Sequence, residues 1–398
     1  MIADLVLEHP AILVVGPRAT GKTTTCERRS ASTLRLADLR ERAAVTADPA
    51  AAIRTRAHPV LIDEWQLVPE TLQTVKEIVD RDPTPGQFLV TGSVRGDLEM
   101  ATWPGTGRLI RLPMYGLTER EINGHVGGGG WIARVRHLED VVPVGRLDAR
   151  DYVELALRSG FPEPALRLSA DGRSRWLSSY VEQLVTRDVA DLDEQRDPAK
   201  LRRYLSTVAL NTAGTIADAK LLDAARITKQ TARAYNRLLQ NLLIVDNLPA
   251  WTSNRLKRST LAPKRHLVDP ALMVGILGIA ATDVMRDGDL LGRILESFVV
   301  AQLRAECALM SLPPRLHHLR TAQGRQEIDI VIEVGARRLL AIEVKASSAP
   351  TEHDARHLRW LHNELGPEVV TAVVLHTGPH TFKLDEHIIA APISTLWS

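Results

Sequence analysis

His9 to Thr25 reads HPAILVVGPRATGKTTT. Ala11–Val15 is a short, apolar, β-branched run, which predicts a buried strand. The next eight residues, Gly16-Pro17-Arg18-Ala19-Thr20-Gly21-Lys22-Thr23, fit the spacing G-x-x-x-x-G-K-[ST] between a strand and a helix start. The two glycines let the backbone turn tightly and aim its N–H groups inward, making an anion cradle. Lys22 is expected to reach the β- and γ-phosphates of a nucleotide, and the Thr23 hydroxyl to ligate Mg²⁺. The expected nucleotide-binding set is Gly16, Pro17, Arg18, Ala19, Thr20, Gly21, Lys22, Thr23 and Thr24.

Composition sets wide limits on the rest. In 398 residues, hydrophobic types make up 44% and charged types 25%, as in ordinary globular proteins, and the length predicts two to four domains. A net charge of +2 gives no global pull toward nucleic acid or membrane, so any basic surface must be local. Only 9 of the 50 basic residues are lysines, which makes each lysine's position informative. The two cysteines, Cys26 and Cys307, form neither a disulfide framework nor a C-x-x-C metal pair. MIADLVLEHP has no basic segment followed by an apolar one, and the longest apolar run, Ala271–Ala281, is too short to cross a bilayer. A cytoplasmic protein without a membrane partner is expected.

Downstream, Val60-Leu61-Ile62-Asp63-Glu64 is an apolar run ending in two acids, the pattern of a strand that delivers carboxylates to the ligand edge of a parallel sheet. Asp63 is expected to hold Mg²⁺ and Glu64 to act as general base on the attacking water. Pro69–Asp80 has helical spacing, with Leu72, Val75, Lys76 and Val79 in register. Gln87–Ser93 predicts the next strand, ending in Thr91 and Ser93. Thr91 is the first candidate, Ser93 the second, for a polar group that senses the γ-phosphate. Arg108, then Arg111, are candidates for an arginine finger inserted into a neighbouring copy's site, which makes a homo-oligomer the expected setting. Ala31–Ala57 reads as helical with a break at Asp48-Pro49.

The succession GPRATGKTT, LIDEWQ, FLVTGS and GTGRLIRL resembles a widespread prokaryotic family of AAA-type ATPases with a C-terminal restriction-endonuclease-like domain. The likeness continues through GFPEPAL (Gly160–Leu166), SYVEQLVTRDVADL (Ser179–Leu192) and the C-terminal third. The resemblance implies an ATP-hydrolysing core beside a domain whose role in the family is poorly defined.

Gly127–Gly130 predicts a linker. Asp151–Arg158 and Arg173–Asp191 read as lid helices, the second with an apolar stripe of Val181, Leu184, Val185 and Val189. Helices over Leu201–Asn211, Asp218–Ala225 and Thr228–Asn241, then a strand at Leu242–Val245, follow the layout of a winged helix. Lys229, Gln230, Arg233, Asn236 and Arg237 would face a DNA groove. Arg255, Lys257, Arg258, Lys264 and Arg265 would meet phosphates from the wing. Gly292–Glu306 predicts a helix carrying Glu296. Gln326–Ile332 and Leu339–Lys345 predict strands, and Asp329…Glu343-x-Lys345 spells D-x13-E-x-K, the signature of PD-(D/E)xK nucleases. Asp329, Glu343 and Glu296 would ligate Mg²⁺, and Lys345, on Glu343's face of the strand, would serve the attacking water. Val369–Leu375 reads as the strand completing this sheet.

The expected fold is α/β: a P-loop AAA-type parallel-sheet core (1–126), a linker and helical lid (127–200), a winged helix (201–265) and a restriction-endonuclease-like α/β domain (266–398). The expected catalytic residues are Glu64, Lys22, Thr91, Arg108 and Lys345. The expected metal ligands are Thr23, Asp63, Glu296, Asp329 and Glu343. ATP and Mg²⁺ are the expected cofactors, and DNA a partner through the winged helix and C-terminal domain. Two functions fit: an ATPase coupled to a DNA-binding module with DNA cleavage as one branch, or a nucleotide-switched scaffold with an inactive nuclease-like domain.

Overall fold

The computed structural model describes residues 1–93, 107–125, 130–135, 143, 145–188, 197–215, 218–253, 261–321, 324–335 and 337–398. Gly127–Gly129 of the expected linker, Val189 of the lid stripe, and Arg255, Lys257 and Arg258 of the expected wing lie outside them. The chain divides into two compact units, Met1–Tyr115 with Leu239–Leu243, and Gly116–Leu238 with Ile244–Ser398.

The first unit is built on five strands: β1 (Ala11–Val15), β2 (Ser32–Arg35), β3 (Val60–Asp63), β4 (Phe88–Gly92) and β5 (Leu109–Pro113). They lie in the order β2-β3-β4-β1-β5, and every pair is parallel. β1, β3 and β4 are buried throughout, which is why their sequences are continuous apolar runs rather than alternating ones. One face of the sheet packs Leu13, Ile62 and Val90 against Leu72, Val75 and Val79 of the helix Glu70–Arg81. The other packs Ile12, Val14, Leu61 and Leu89 around Cys26. Each such buried aliphatic contributes roughly 1.5–3 kcal/mol.

One sequence expectation needs correction here. Ala31–Ala57 is not helical from its start, because Ser32–Arg35 forms the edge strand β2. That strand is short and half-exposed, so it lacks the apolar run that marks its neighbours. The break at Asp48-Pro49 does occur: the Asp48 side chain accepts from the Ala51 amide and Pro49 starts the next helix. The first unit's N-terminal segment ends at Tyr115.

The second unit holds the helices Ala149–Arg158 and Ala170–Gln183, then Pro198–Leu210, Asp218–Ala225 and Lys229–Asn241 up to Leu238. Thr228 caps the last of these, its hydroxyl accepting from the Thr231 amide at 3.2 Å. A two-stranded antiparallel hairpin follows, β6 (Val245–Leu248) and β7 (Lys264–Leu267). The strand expected at Leu242–Val245 therefore begins only at its last residue, since Leu243 adopts a left-handed backbone (φ 58°). The expected 265/266 boundary falls inside β7.

The long helix Gly288–Ala308 then leads into a six-stranded sheet. Its strands are β8 (Arg315–Arg320), β9 (Glu327–Val334), β10 (Arg338–Lys345), β11 (Val369–His376), β12 (Phe382–Lys383) and β13 (Ile388–Pro392), in the order β12-β13-β11-β10-β9-β8. β10 is antiparallel to β9 and parallel to β11, so the sheet is mixed. β11 does not complete it: β13 and β12 extend that side. The helix Arg356–Leu365 covers the sheet through Leu358 and Leu361.

Candidate functional sites

In the first unit, β1, β3 and β4 end side by side, and the polar residues that follow them meet at that edge. Gly16 leaves β1 so close to Met114 that a Cβ on it would lie 2.1 Å from the Met114 carbonyl oxygen. Ala19 (φ 63°) and Gly21 (φ 88°) carry the loop through left-handed backbone into the helix Lys22–Glu27. Thr20 Oγ1 donates to the Pro17 carbonyl at 2.9 Å. Pro17 is buried, whereas Arg18, Ala19 and Thr24 are exposed on the loop's outer side.

Lys22 is 5% exposed, and its Nζ donates to the Gly16 carbonyl at 3.0 Å and the Pro17 carbonyl at 2.8 Å. Burial brings its ammonium down to about 8, with the charges of Glu64 and Asp63 pulling the other way. Asp63 Oδ1 accepts two hydroxyls, Thr23 at 2.7 Å and Thr91 at 2.5 Å. The Glu64 amide donates to Thr91 Oγ1 at 3.3 Å. Thr91 thus ties β4 to both acids that end β3.

Glu64 sits in left-handed backbone (φ 58°, ψ 49°), which turns the chain sharply after the strand. Its Oε2 accepts from Ser93 Oγ at 3.3 Å and from Gln66 Nε2, which also donates to Ser93 Oγ at 3.3 Å. Gln66 is a site residue the motif pattern did not assign. Its only sequence signal is its position two residues beyond the acid pair. Gly92 is required where it stands, because a Cβ there would lie 2.5 Å from Trp65 Nε1.

Arg108 lies elsewhere. β5 runs parallel to β1 with Leu109 opposite Ala11 and Pro113 opposite Val15, so Arg108 sits at the edge of the sheet away from the phosphate loop. Four strand residues at about 3.3 Å each separate the two edges by roughly 13 Å. Arg108 Nε pairs with Asp80 Oδ1 at 2.5 Å. Arg111 is exposed midway along β5.

In the second unit, β9, β10 and the long helix bring Glu296, Asp329 and Lys345 to one open cleft of about 650 Å³, whose walls include Arg293, Arg320 and Glu327, with Glu343 buried beside Lys345. The sequence groups these four residues, but it sends a fifth elsewhere. Lys264, expected on an exposed wing, is buried at 1% exposure. Its Nζ lies 3.0 Å from Glu296 Oε1, 3.1 Å from Asp329 Oδ1 and 3.6 Å from Glu327 Oε1. β7 turns Lys264 and His266 to the same face; His266 Nε2 is 3.7 Å from Glu296 and its Nδ1 is 3.3 Å from Ser297 Oγ. Ser297 Oγ lies 3.0 Å from Thr212 Oγ1.

The protonation states follow this arrangement. Burial pushes Glu296 up to about 8, partly opposed by Lys264. Burial would also raise Asp329, but the ammonium groups of Lys264 and Lys345 more than reverse it, to about 2. The carboxylates hold Lys264 above its ordinary range despite burial. Burial and the Asp329 charge drive Glu343 well up, against the Lys345 ammonium 2.8 Å from its Oε2. Asp329 Oδ2 accepts from the Val344 amide at 3.0 Å.

The two centres respond differently to a test for metal. At the first, Thr23 Oγ1 and Asp63 Oδ1 are adjacent hard oxygens facing the phosphate loop, a donor set suited to Mg²⁺. At the second, an ammonium already stands among the acids, and no group of three or more His, Cys, Asp or Glu among the described residues is arranged to hold a metal ion. The metal role expected for Glu296, Asp329 and Glu343 does not fit this geometry.

Comparison with known proteins matches three segments of the chain. Residues 8–123 match the family model described as an AAA domain, of the P-loop ATPase class. Residues 149–283 and 291–396 match two domains of unknown function, DUF8612 and DUF4143. The uncharacterized proteins Rv2008c of Mycobacterium tuberculosis and Mb2031c of Mycobacterium bovis are each 27% identical over 387 residues, covering 96% of this chain and 80% of theirs. Among solved structures, the Walker-type ATPase PABY2304 of Pyrococcus abyssi is similar with a TM-score of 0.39 at 13% identity, covering 69% of this chain and 93% of that one. A point variant of RuvB from Thermotoga maritima is similar with a TM-score of 0.28 at 22% identity, covering 63% and 87%. Among the described residues, no helix is long and apolar enough to cross a membrane.

Proposed function

We propose that the protein binds and hydrolyses ATP at the edge where β1, β3 and β4 end, and that its nucleotide state switches a second unit that binds a partner without cutting it. The observation that carries this reading is the hydroxyl pair on Asp63: Thr23 from the phosphate loop and Thr91 from β4 both bond one carboxylate oxygen. Loop, acid and sensor candidate are thereby joined within the chain itself.

In this reading the loop backbone and Lys22 bind the β- and γ-phosphates. Thr23 and Asp63 would hold Mg²⁺, which when bound neutralises phosphate charge. Glu64 accepts the proton of the attacking water, and Ser93 and Gln66 orient its carboxylate. Thr91 fixes the spacing of the two acids. Arg108 is too far from the loop of its own chain to serve it, so its finger role requires a second copy, in a homo-oligomer.

The non-cutting reading of the second unit is favoured by Lys264 among the acids. DNA is the partner class best supported, because Lys229, Gln230, Arg233 and Arg237 lie along one helix ahead of the β6–β7 hairpin, the layout of a winged helix. Such cations bind phosphates with steep salt dependence.

The deciding experiment measures phosphate release with and without duplex DNA for wild type, Lys22→Ala and Glu64→Gln. Turnover that both substitutions abolish, with ATP still bound by Glu64→Gln, supports the assignment. Unchanged turnover in Glu64→Gln would remove Glu64 as the base.

A further inference from the structure

We propose that Lys264 is a built-in counter-cation that occupies the position a divalent metal would need among Glu296, Glu327 and Asp329, and so closes the second unit's cleft to metal. This rests on the reading of that unit as a non-cutting module, and it names the residue that makes it so.

Three independent features of the chain support it. The first is geometry: the three N–H donors of one ammonium suit three carboxylates, and Lys264 Nζ has three within 3.0–3.6 Å. The second is burial: the Lys264 side chain is 2% exposed, so it does not sample solvent like a surface lysine. The third is anchorage. β7 pairs with β6 along its length, and the neighbouring His266–Ser297–Thr212 contacts fasten the hairpin to the helix that carries Glu296. With the strand anchored and the side chain buried, the ammonium has little room to swing away from the acids. Meanwhile Lys345 is held by Glu343 at 2.8 Å, so the two lysines divide the acids of the cleft between them.

The cleft's walls also hold Lys345, Arg293 and Arg320, cations that suit an anionic ligand. Removing the Lys264 ammonium should create a metal site where none existed.

The test uses the full chain without nucleotide, carrying Asp63→Asn throughout to silence the first unit's cation position. Mn²⁺ binding is followed by electron paramagnetic resonance for this parent, for added Lys264→Met, and for Lys264→Met with Asp329→Asn. The expected result is weak, non-saturating binding in the parent, and one site tighter by on the order of tenfold or more in Lys264→Met. That site should disappear when Asp329→Asn is added. A folded Lys264→Met that gains no site would overturn the proposal. So would tight Mn²⁺ binding by the parent that Asp329→Asn removes, a comparison that holds even where Lys264→Met does not fold. Plasmid cleavage in Mn²⁺, measured on the wild-type chain, separates the two levels. Metal binding without cleavage defeats only the Lys264 assignment, whereas cleavage lost in Lys345→Ala defeats the non-cutting reading as well.

Discussion

Both units bury a lysine close to carboxylates, yet the two lysines are satisfied in opposite ways. Lys22 donates to neutral carbonyls, and Asp63 beside it accepts from neutral hydroxyls. Each charge there is held in place by dipoles. Lys264 and its acids match each other. The difference separates a lysine held by dipoles from a lysine paired with carboxylates. Buried charge alone marks neither, since its cost is met in both cases by partners inside the chain.

The comparison can be broken most sharply at Lys22. Lys22→Ala should lower nucleotide affinity by about a hundredfold or more, since a charge-assisted contact to phosphate is lost from a buried position; equilibrium binding of a fluorescent ATP analogue checks this. Near-normal affinity would mean that Lys22, like Lys264, is internally satisfied. Next in size, Glu64→Gln should slow turnover by roughly 10²–10⁴-fold while leaving affinity within a few-fold, read by single-turnover phosphate release.

A pH titration sharpens the same contrast. With no nucleotide bound, Lys22 loses its proton near pH 8, and phosphate favours the charged form. Affinity should be full below that value and fall as pH rises through it, approaching about tenfold per unit, a dependence that Lys22→Met should flatten. Smallest is Gln66→Ala, which removes one of two partners of the Glu64 carboxylate. A loss of about 0.5–1.5 kcal/mol, a few-fold in kcat with little change in KM, is expected from steady-state kinetics.

The residues gathered at the first candidate site were legible because they are local in sequence. Glycine spacing, one lysine and two strand ends define it, and each strand is apolar enough to be read alone. Gln66 escaped because a side chain that orients a base needs no fixed spacing. In the second unit, Asp329, Glu343 and Lys345 were legible through strand alternation, and Glu296 through helix placement. Lys264 was not, because its partners lie 32 and 65 positions away and only tertiary structure joins them. A lysine in a basic stretch reads as a surface cation until the fold turns it inward. Edge elements were lost for the opposite reason: β2 and β12 are too short and too exposed to leave a periodic trace.

The register of β7 has a practical consequence for dissecting the chain. A fragment cut at residue 266 would keep Glu296, Glu327, Asp329, Glu343 and Lys345, and would leave Lys264 behind. Glu296, Glu327 and Asp329 would then lack the Lys264 ammonium. If that ammonium is what closes the cleft to metal, nuclease activity seen in such a fragment would not report on the whole chain, whereas a cut placed before β6 would keep Lys264.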